Sequence, residues 1–250
     1  MNKEISQKYI KYGCLAVFAL LTIFITLQRE PFWDEAHSWM IAKSFNFFEL
    51  LKIERHDGHL FIWHTLQMPF AKNNFYYPYP VYIMNWLFCM GALIIFWNKA
   101  PFSNLEKGLI TFSFPFVCYF SCVARCYSIG LLFLFIILSL WKKRCEKPIL
   151  FSSLLITFAN TSAMALCATL PFSLIFLFDL IKEKKKFIIP LMILISGAIL
   201  VVYQLFGAGL PLGFENEISL FPDIVADFFL VFEVENITTF LKLFSQPLFI

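Results

Sequence analysis

Charge is scarce in this chain: Asp, Glu, Lys and Arg together make up 15% of 250 residues, against 60% hydrophobic residues. That scarcity excludes a soluble globular domain. Together with 33 Phe it implies repeated apolar runs near 20 residues, the length of a membrane-spanning helix. Cysteine is present but odd in number, seven in all, and mostly inside apolar runs, which argues against a disulfide framework. Cys118, Cys122 and Cys126 recur at every fourth residue with no His or carboxylate beside them. They read as small packing residues sharing a helix face rather than as metal ligands. A Gly-rich Rossmann loop and a Walker motif are both lacking, so no nucleotide cofactor or nucleotide-sugar donor is expected, and no nucleic-acid partner. There is also no internal repeat, and the apolar runs are nearly free of charge, which weighs against a transport path through the membrane.

What is present is a polytopic, all-α pattern. Lys3, Lys8 and Lys11 precede a run from about Tyr12 to Leu27 that ends in Gln28-Arg29-Glu30-Pro31, without the small residues of a cleavage site. The run is read as a retained first helix. Further spans are expected at Val81–Trp97, Leu109–Ser121, Tyr127–Trp141, Ile149–Ala163, Leu166–Ile181 and Phe187–Phe206, with Ile224–Phe232 and Ile237–Ile250 open between spanning and interfacial. The expected fold is a transmembrane bundle of about seven to nine helices, with interfacial helices in the first external loop at roughly Glu35–Phe45 and Phe47–Ile53. The apolar stretch Leu60–Ala71 is too short to cross ~30 Å of hydrocarbon.

Basic residues set the sidedness. They cluster at Lys99–Lys107, Lys142–Lys147 and Lys182–Lys186, whereas Phe187–Leu241 has no Lys or Arg. If the N-terminus and these three loops are cytoplasmic, Leu60–Ala71 cannot span. Asp34, Glu35, His37, His56, Asp57, His59 and the turn at Arg125 then share the non-cytoplasmic side.

That side holds the chemistry. In Phe32-Trp33-Asp34-Glu35-Ala36-His37-Ser38-Trp39, two adjacent carboxylates and an imidazole follow the first apolar run, and all four His lie between positions 37 and 64. Three readings are open. Asp34 could cap the N-terminus of the next helix. Asp34, Glu35 and His37, or His56, Asp57 and His59, could hold a divalent cation such as Mg or Mn. One carboxylate could act as a general base. Arg125, in Ser121-Cys-Val-Ala-Arg-Cys-Tyr-Ser-Ile-Gly130, is either a snorkelling interface residue or a planar clamp for phosphate, with Tyr127 beside it.

Trp33-Asp34-Glu35-Ala36-His37, Asp57-Gly58-His59-Leu60-Phe61-Ile62-Trp63 and Val123-Ala124-Arg125-Cys126-Tyr127-Ser128 resemble, in order and rough spacing, motifs of the GT-C glycosyltransferases. The similarity is to the bacterial mannosyltransferase/arabinosyltransferase-like group, which carries Asp-Glu, Gly-His-Pro-Pro-Leu-Trp and Ala-Arg-x-Tyr-Ser motifs. Leu60 and Phe61 replace the two prolines here. The resemblance implies transfer of a hexose or pentose from a polyprenyl-phosphate donor to a glycan, lipid or protein acceptor at the outer face of the cell membrane. It implies Asp34 and Glu35 as the catalytic carboxylates, Asp34 being the base and Glu35 tuning it or binding metal. Arg125 and His59 would hold the donor phosphate, with His37, Asp57 and Tyr127 completing the substrate site. Family members are longer, so residues 1–250 are expected to be one domain forming the N-terminal portion of a larger architecture. The rivals are a transporter or flippase and a non-catalytic, truncated family member.

Overall fold

The computed structural model describes residues 3–52, 60–183 and 186–206, all within one compact unit, Met1–Gly209; a second unit, Leu210–Ile250, lies outside the described residues. His56, Asp57, His59 and the segments Ile224–Phe232 and Ile237–Ile250 also lie outside them. Every regular element among the described residues is a helix. They run α1 (Lys3–Gln28), α2 (Trp33–Ser44), α3 (Phe47–Lys52), α4 (Phe61–Lys72), α5 (Tyr79–Lys99), α6 (Asn104–Thr111), a π-helical turn (Pro115–Phe120), α7 (Tyr127–Leu140), α8 (Pro148–Ala159), α9 (Ala163–Lys182) and α10 (Ile188–Phe206).

Among the described residues three helices are long and apolar enough to cross a membrane: Gln7–Gln28 within α1, all of α5, and all of α9. Their environments differ. Half of α5's apolar window is buried, against 22% in α1 and α9, so α5 runs through the protein while the other two line its outside. Leu20, Phe24 and Leu27 on α1 and Leu174 and Phe178 on α9 are largely exposed, apolar surface on each helix of the kind that lipid would cover.

α1 and α5 are antiparallel neighbours. Lys11 Nζ donates to Asn98 Oδ1 near one end of the pair, Trp86 Nε1 donates to Thr22 Oγ1 at 3.0 Å midway, and the Arg29 guanidinium lies 4.5 Å over the Tyr82 ring at the other end. Phe18, Leu93, Phe96 and Phe116 fill the space between these helices and the π-helical turn. A second cluster, with Trp39, Trp63, Val81 and Ile129 at its centre, ties α2 and α4 to α5 and the start of α7. A third, built on Ile137, Phe151, Leu155 and Phe176, joins α7 to α8, α9 and α10.

The short stretch after residue 60 forms α4, 12 residues long and packed against α2. At 1.5 Å per residue it reaches only about 18 Å, well short of a bilayer's hydrocarbon thickness. The expected continuous span Leu109–Ser121 is instead broken. α6 stops at Thr111, Ser113 turns back on the Ile110 carbonyl, and Pro115, which has no N–H to continue a helix, opens the π-helical turn. The break also separates Cys118, Cys122 and Cys126. They fall in the π-helix, in the turn after it and at the cap of α7, so they do not share one helix face, and all seven thiols are free.

Candidate functional site

The site begins with the start of α2. Phe32, in extended conformation, offers its carbonyl to the N–H groups of Glu35 and Ala36, so the helix begins at Trp33, two residues before the expected Glu35. Asp34 therefore occupies the second helical position, where it cannot act as the cap. The carboxylate of Glu35, one residue on, reaches back to the Phe32 N–H at 3.0 Å and does the capping from inside the helix.

Glu35 is only 1% exposed, and its two oxygens are fully engaged. Oε1 accepts from Arg29 Nη2 and from the Ala124 backbone N–H, each at 2.5 Å. Oε2 accepts from Arg29 Nη1 at 2.9 Å and from Phe32 N–H. Arg29 Nη2 goes on to the Cys122 carbonyl at 2.5 Å. On the other side of the same turn, Asn85 Nδ2 donates to the carbonyls of Phe120 and Ser121 at 3.1 and 3.0 Å. The non-helical backbone between the π-helix and α7 is thus held by side chains from α2, α5 and the residue that follows α1. Away from water, irregular backbone needs such partners, because each unmet carbonyl or N–H costs several kcal/mol in hydrocarbon. Sequence reasoning missed Arg29 and Asn85. Their only signals are an Arg at the end of an apolar helix and an Asn inside another.

This bracing brings Arg125 to Asp34. Arg125 Nη1 lies 2.9 Å from Asp34 Oδ2, and the side chains are 19% and 46% exposed, so the pair sits at the edge of the site, open to solute. The guanidinium is 5.4 Å over the Tyr127 ring, which stacks on Tyr119 at 5.3 Å. On the solvent side of α2, Trp33 stacks on the His37 ring at 5.1 Å and 12° and is 73% exposed. Asp34, Arg125 and Tyr127 are therefore brought together, His37 flanks them through Trp33, and Glu35 faces the interior. Among the described residues no three His, Cys, Asp or Glu side chains converge as a metal-binding group. Asp57 and His59 lie outside those residues.

Behind the site, three polar side chains that sequence reasoning did not assign link α2 to α4. Ser38 Oγ is 3.2 Å from His64 Nδ1 and accepts from Gln67 Nε2 at 2.9 Å, all three residues being fully buried. His64 and Gln67 are three residues apart on one face of α4, a polar stripe in an otherwise apolar run. Below them Tyr77 packs against Trp39, and burial, reinforced by the negative charge of Glu35, pushes its phenol well above the ordinary tyrosine range. At a distance from all of this, Arg144 pairs with Asp179 and lies 4.5 Å over the Trp141 ring, tying the loop before α8 to the end of α9.

Comparison with protein-family models, with curated proteins and with solved structures finds no match to this chain.

Proposed function

We propose that this chain is a membrane glycosyltransferase of the GT-C type. It transfers a hexosyl or pentosyl group from a polyprenyl-phosphate donor to a hydroxyl of a glycan, lipid or protein acceptor. The reaction takes place on the non-cytoplasmic side of the cell membrane, in a multi-pass bundle whose N-terminus is cytoplasmic. The Asp34–Arg125 contact at 2.9 Å carries the proposal, since it joins a carboxylate from the first motif to a guanidinium from the third at a solvent-accessible edge.

The two groups divide the chemistry. The acceptor oxygen attacks the anomeric carbon as the bond from that carbon to the phosphate oxygen breaks, and the polyprenyl phosphate leaves with the bonding electrons. Asp34 takes the hydroxyl proton as general base. Arg125 meets the charge that develops on the leaving phosphate, a task suited to a planar, permanently charged fork. In the free protein Arg125 is held by Asp34, so an arriving phosphate competes for the guanidinium and releases the carboxylate for the acceptor. Attack from the face opposite the leaving group inverts the anomeric centre. Glu35, saturated by N–H donors, keeps the turn that carries Arg125 in place and takes no proton.

The test is a mass-spectrometric profile of surface glycans and glycolipids from cells lacking the gene. They are complemented with wild type, Asp34→Asn or Arg125→Gln at matched membrane levels. One sugar residue should disappear in the deletion and return only with wild type. Identical profiles in all strains would remove the transferase reading and leave the transporter or non-catalytic alternatives to be tried. A return of the sugar with Asp34→Asn would remove the base assignment alone.

A further inference from the structure

The opposite end of the α1–α5 pair carries a second polar site. A cleft of about 400 Å³ is lined by Gln7, Lys8, Lys11 and Tyr12 of α1, Trp97 of α5, and Asn104 and Lys107 of α6. Three lysines, Lys8, Lys11 and Lys107, line the cleft. Glu106, the acid of α6's first turn, is drawn away to its own cap by the Ser103 N–H at 2.7 Å. Lys107 is the unusual member. It is 9% exposed, and its Nζ donates at 3.0 Å to the Trp97 carbonyl, one of the carbonyls that the end of α5 leaves without a helical partner. Lys11 donates to Asn98 Oδ1. A lysine ammonium has three donors, so each of these keeps two for a ligand after its structural bond is made.

We propose that this cleft binds the phosphate of an anionic phospholipid headgroup. Depth favours a lipid as the source of the phosphate. Lys11 precedes the end of α1 by 17 residues and Trp97 follows the start of α5 by 18, and both distances come to about 26 Å of helix, close to one hydrocarbon thickness. The lysines therefore stand at headgroup level in one leaflet when Arg29 and Tyr79 stand at that level in the other. Tyr12, one turn beyond Lys8 and 53% exposed, adds an aromatic side to the cleft at the level where an interfacial tyrosine sits. By the bias of basic residues toward the cytoplasm, the leaflet is the cytoplasmic one, whose anionic lipids attract such clusters. This inference does not depend on the transferase proposal.

Native mass spectrometry of the purified full chain, exchanged against equimolar phosphatidylglycerol and phosphatidylcholine, tests it. Wild type should retain phosphatidylglycerol preferentially. Each lysine removed should cost about fivefold in that preference, so Lys8→Gln shows one such step and Lys8→Gln/Lys11→Gln roughly 25-fold. Lys143→Gln/Lys147→Gln, in a different basic loop, should leave the preference unchanged. Lys8 is exposed, so its single variant reports on binding without disturbing the fold. Equal retention of the two lipids by wild type, or an unchanged preference in both cleft variants, overturns the proposal. Displacement of the lipid by millimolar inorganic phosphate would show a site for free phosphate and overturn the lipid assignment.

Discussion

Glu35→Gln is the sharpest probe of how the site is built. The wild-type carboxylate is fully buried, bonded twice to Arg29 and once each to the backbone of Phe32 and Ala124. Glutamine keeps the shape and one acceptor oxygen but turns the other oxygen into a donor facing N–H groups. It also leaves Arg29, itself 14% exposed, without its counter-charge. Removing one partner of a buried ion pair typically costs about 3–5 kcal/mol, most of it the penalty of stranding the other charge. The retained oxygen and the contact of Arg29 with the Cys122 carbonyl and Tyr82 ring place this case near the lower bound, about 3 kcal/mol. For a chain of this size such a loss lowers the melting temperature by roughly 6–12 °C.

The assay is thermal unfolding of purified protein in detergent, followed by far-ultraviolet circular dichroism, for wild type, Glu35→Gln, Arg29→Gln, the double variant and Asp34→Asn. The double variant should be less destabilised than the sum of the two singles, because it leaves neither charge stranded. Asp34→Asn breaks a half-exposed pair and should cost at most ~1 kcal/mol. Should Glu35→Gln melt with wild type, or Asp34→Asn fall as far as Glu35→Gln, the division of labour between the two carboxylates is wrong.

Three further outcomes follow from the packing. Gly197→Ala in α10 would set a Cβ 2.2 Å from Ile156 Cγ2 of α8, so it should destabilise by about 1–3 kcal/mol, and Ile156→Ala in the same chain should relieve much of the loss in the same melting assay. Ser38→Ala removes the acceptor of Gln67 and the hydroxyl beside His64, and should cost about 1–3 kcal/mol in the same melting assay. Tyr77 keeps its proton in the folded state to higher pH than in the unfolded chain; its contribution is complete below about pH 10 and is lost as pH rises above that. Melting temperatures taken across alkaline pH should fall less steeply for Tyr77→Phe than for wild type.

The helical class and the first apolar helix are legible in the sequence because both are set by composition and run length. The shortness of the helix after residue 60 is legible for the same reason: the apolar run has 12 residues, and the structure gives a 12-residue helix packed on α2. The fate of Leu109–Ser121 is not. A run of hydropathy says nothing about where a helix is continuous, and Pro115 acts together with a backbone turn whose partners, Arg29, Glu35 and Asn85, come from the residue after α1, from α2 and from α5. The same limit hides Ser38, His64 and Gln67, which read as scattered polar residues until α2 and α4 are laid side by side. The spacing of Cys118, Cys122 and Cys126 is the opposite case, a helical period in a segment that is not α-helical.

The adjacent carboxylates illustrate why a motif names a site without assigning its parts. Consecutive residues of a helix point about 100° apart, so two neighbouring side chains in the first turn of α2 cannot serve one ligand from the same direction. With α2 packed on α4, one of them must face inward. The inward position can hold a charge only if cations and N–H donors surround it, and Glu35 has Arg29 and two backbone amides. Its partners are what fix the turn bearing Arg125, so the inner carboxylate determines where the outer one finds its guanidinium. On the transferase proposal, a substitution at Glu35 should then reduce transfer by displacing Arg125, and one at Asp34 by removing the proposed base. Restoring the fold of Glu35→Gln with a compensating change at Arg29 should recover some stability without recovering activity, since Ala124 and Arg125 would still lack their anchor.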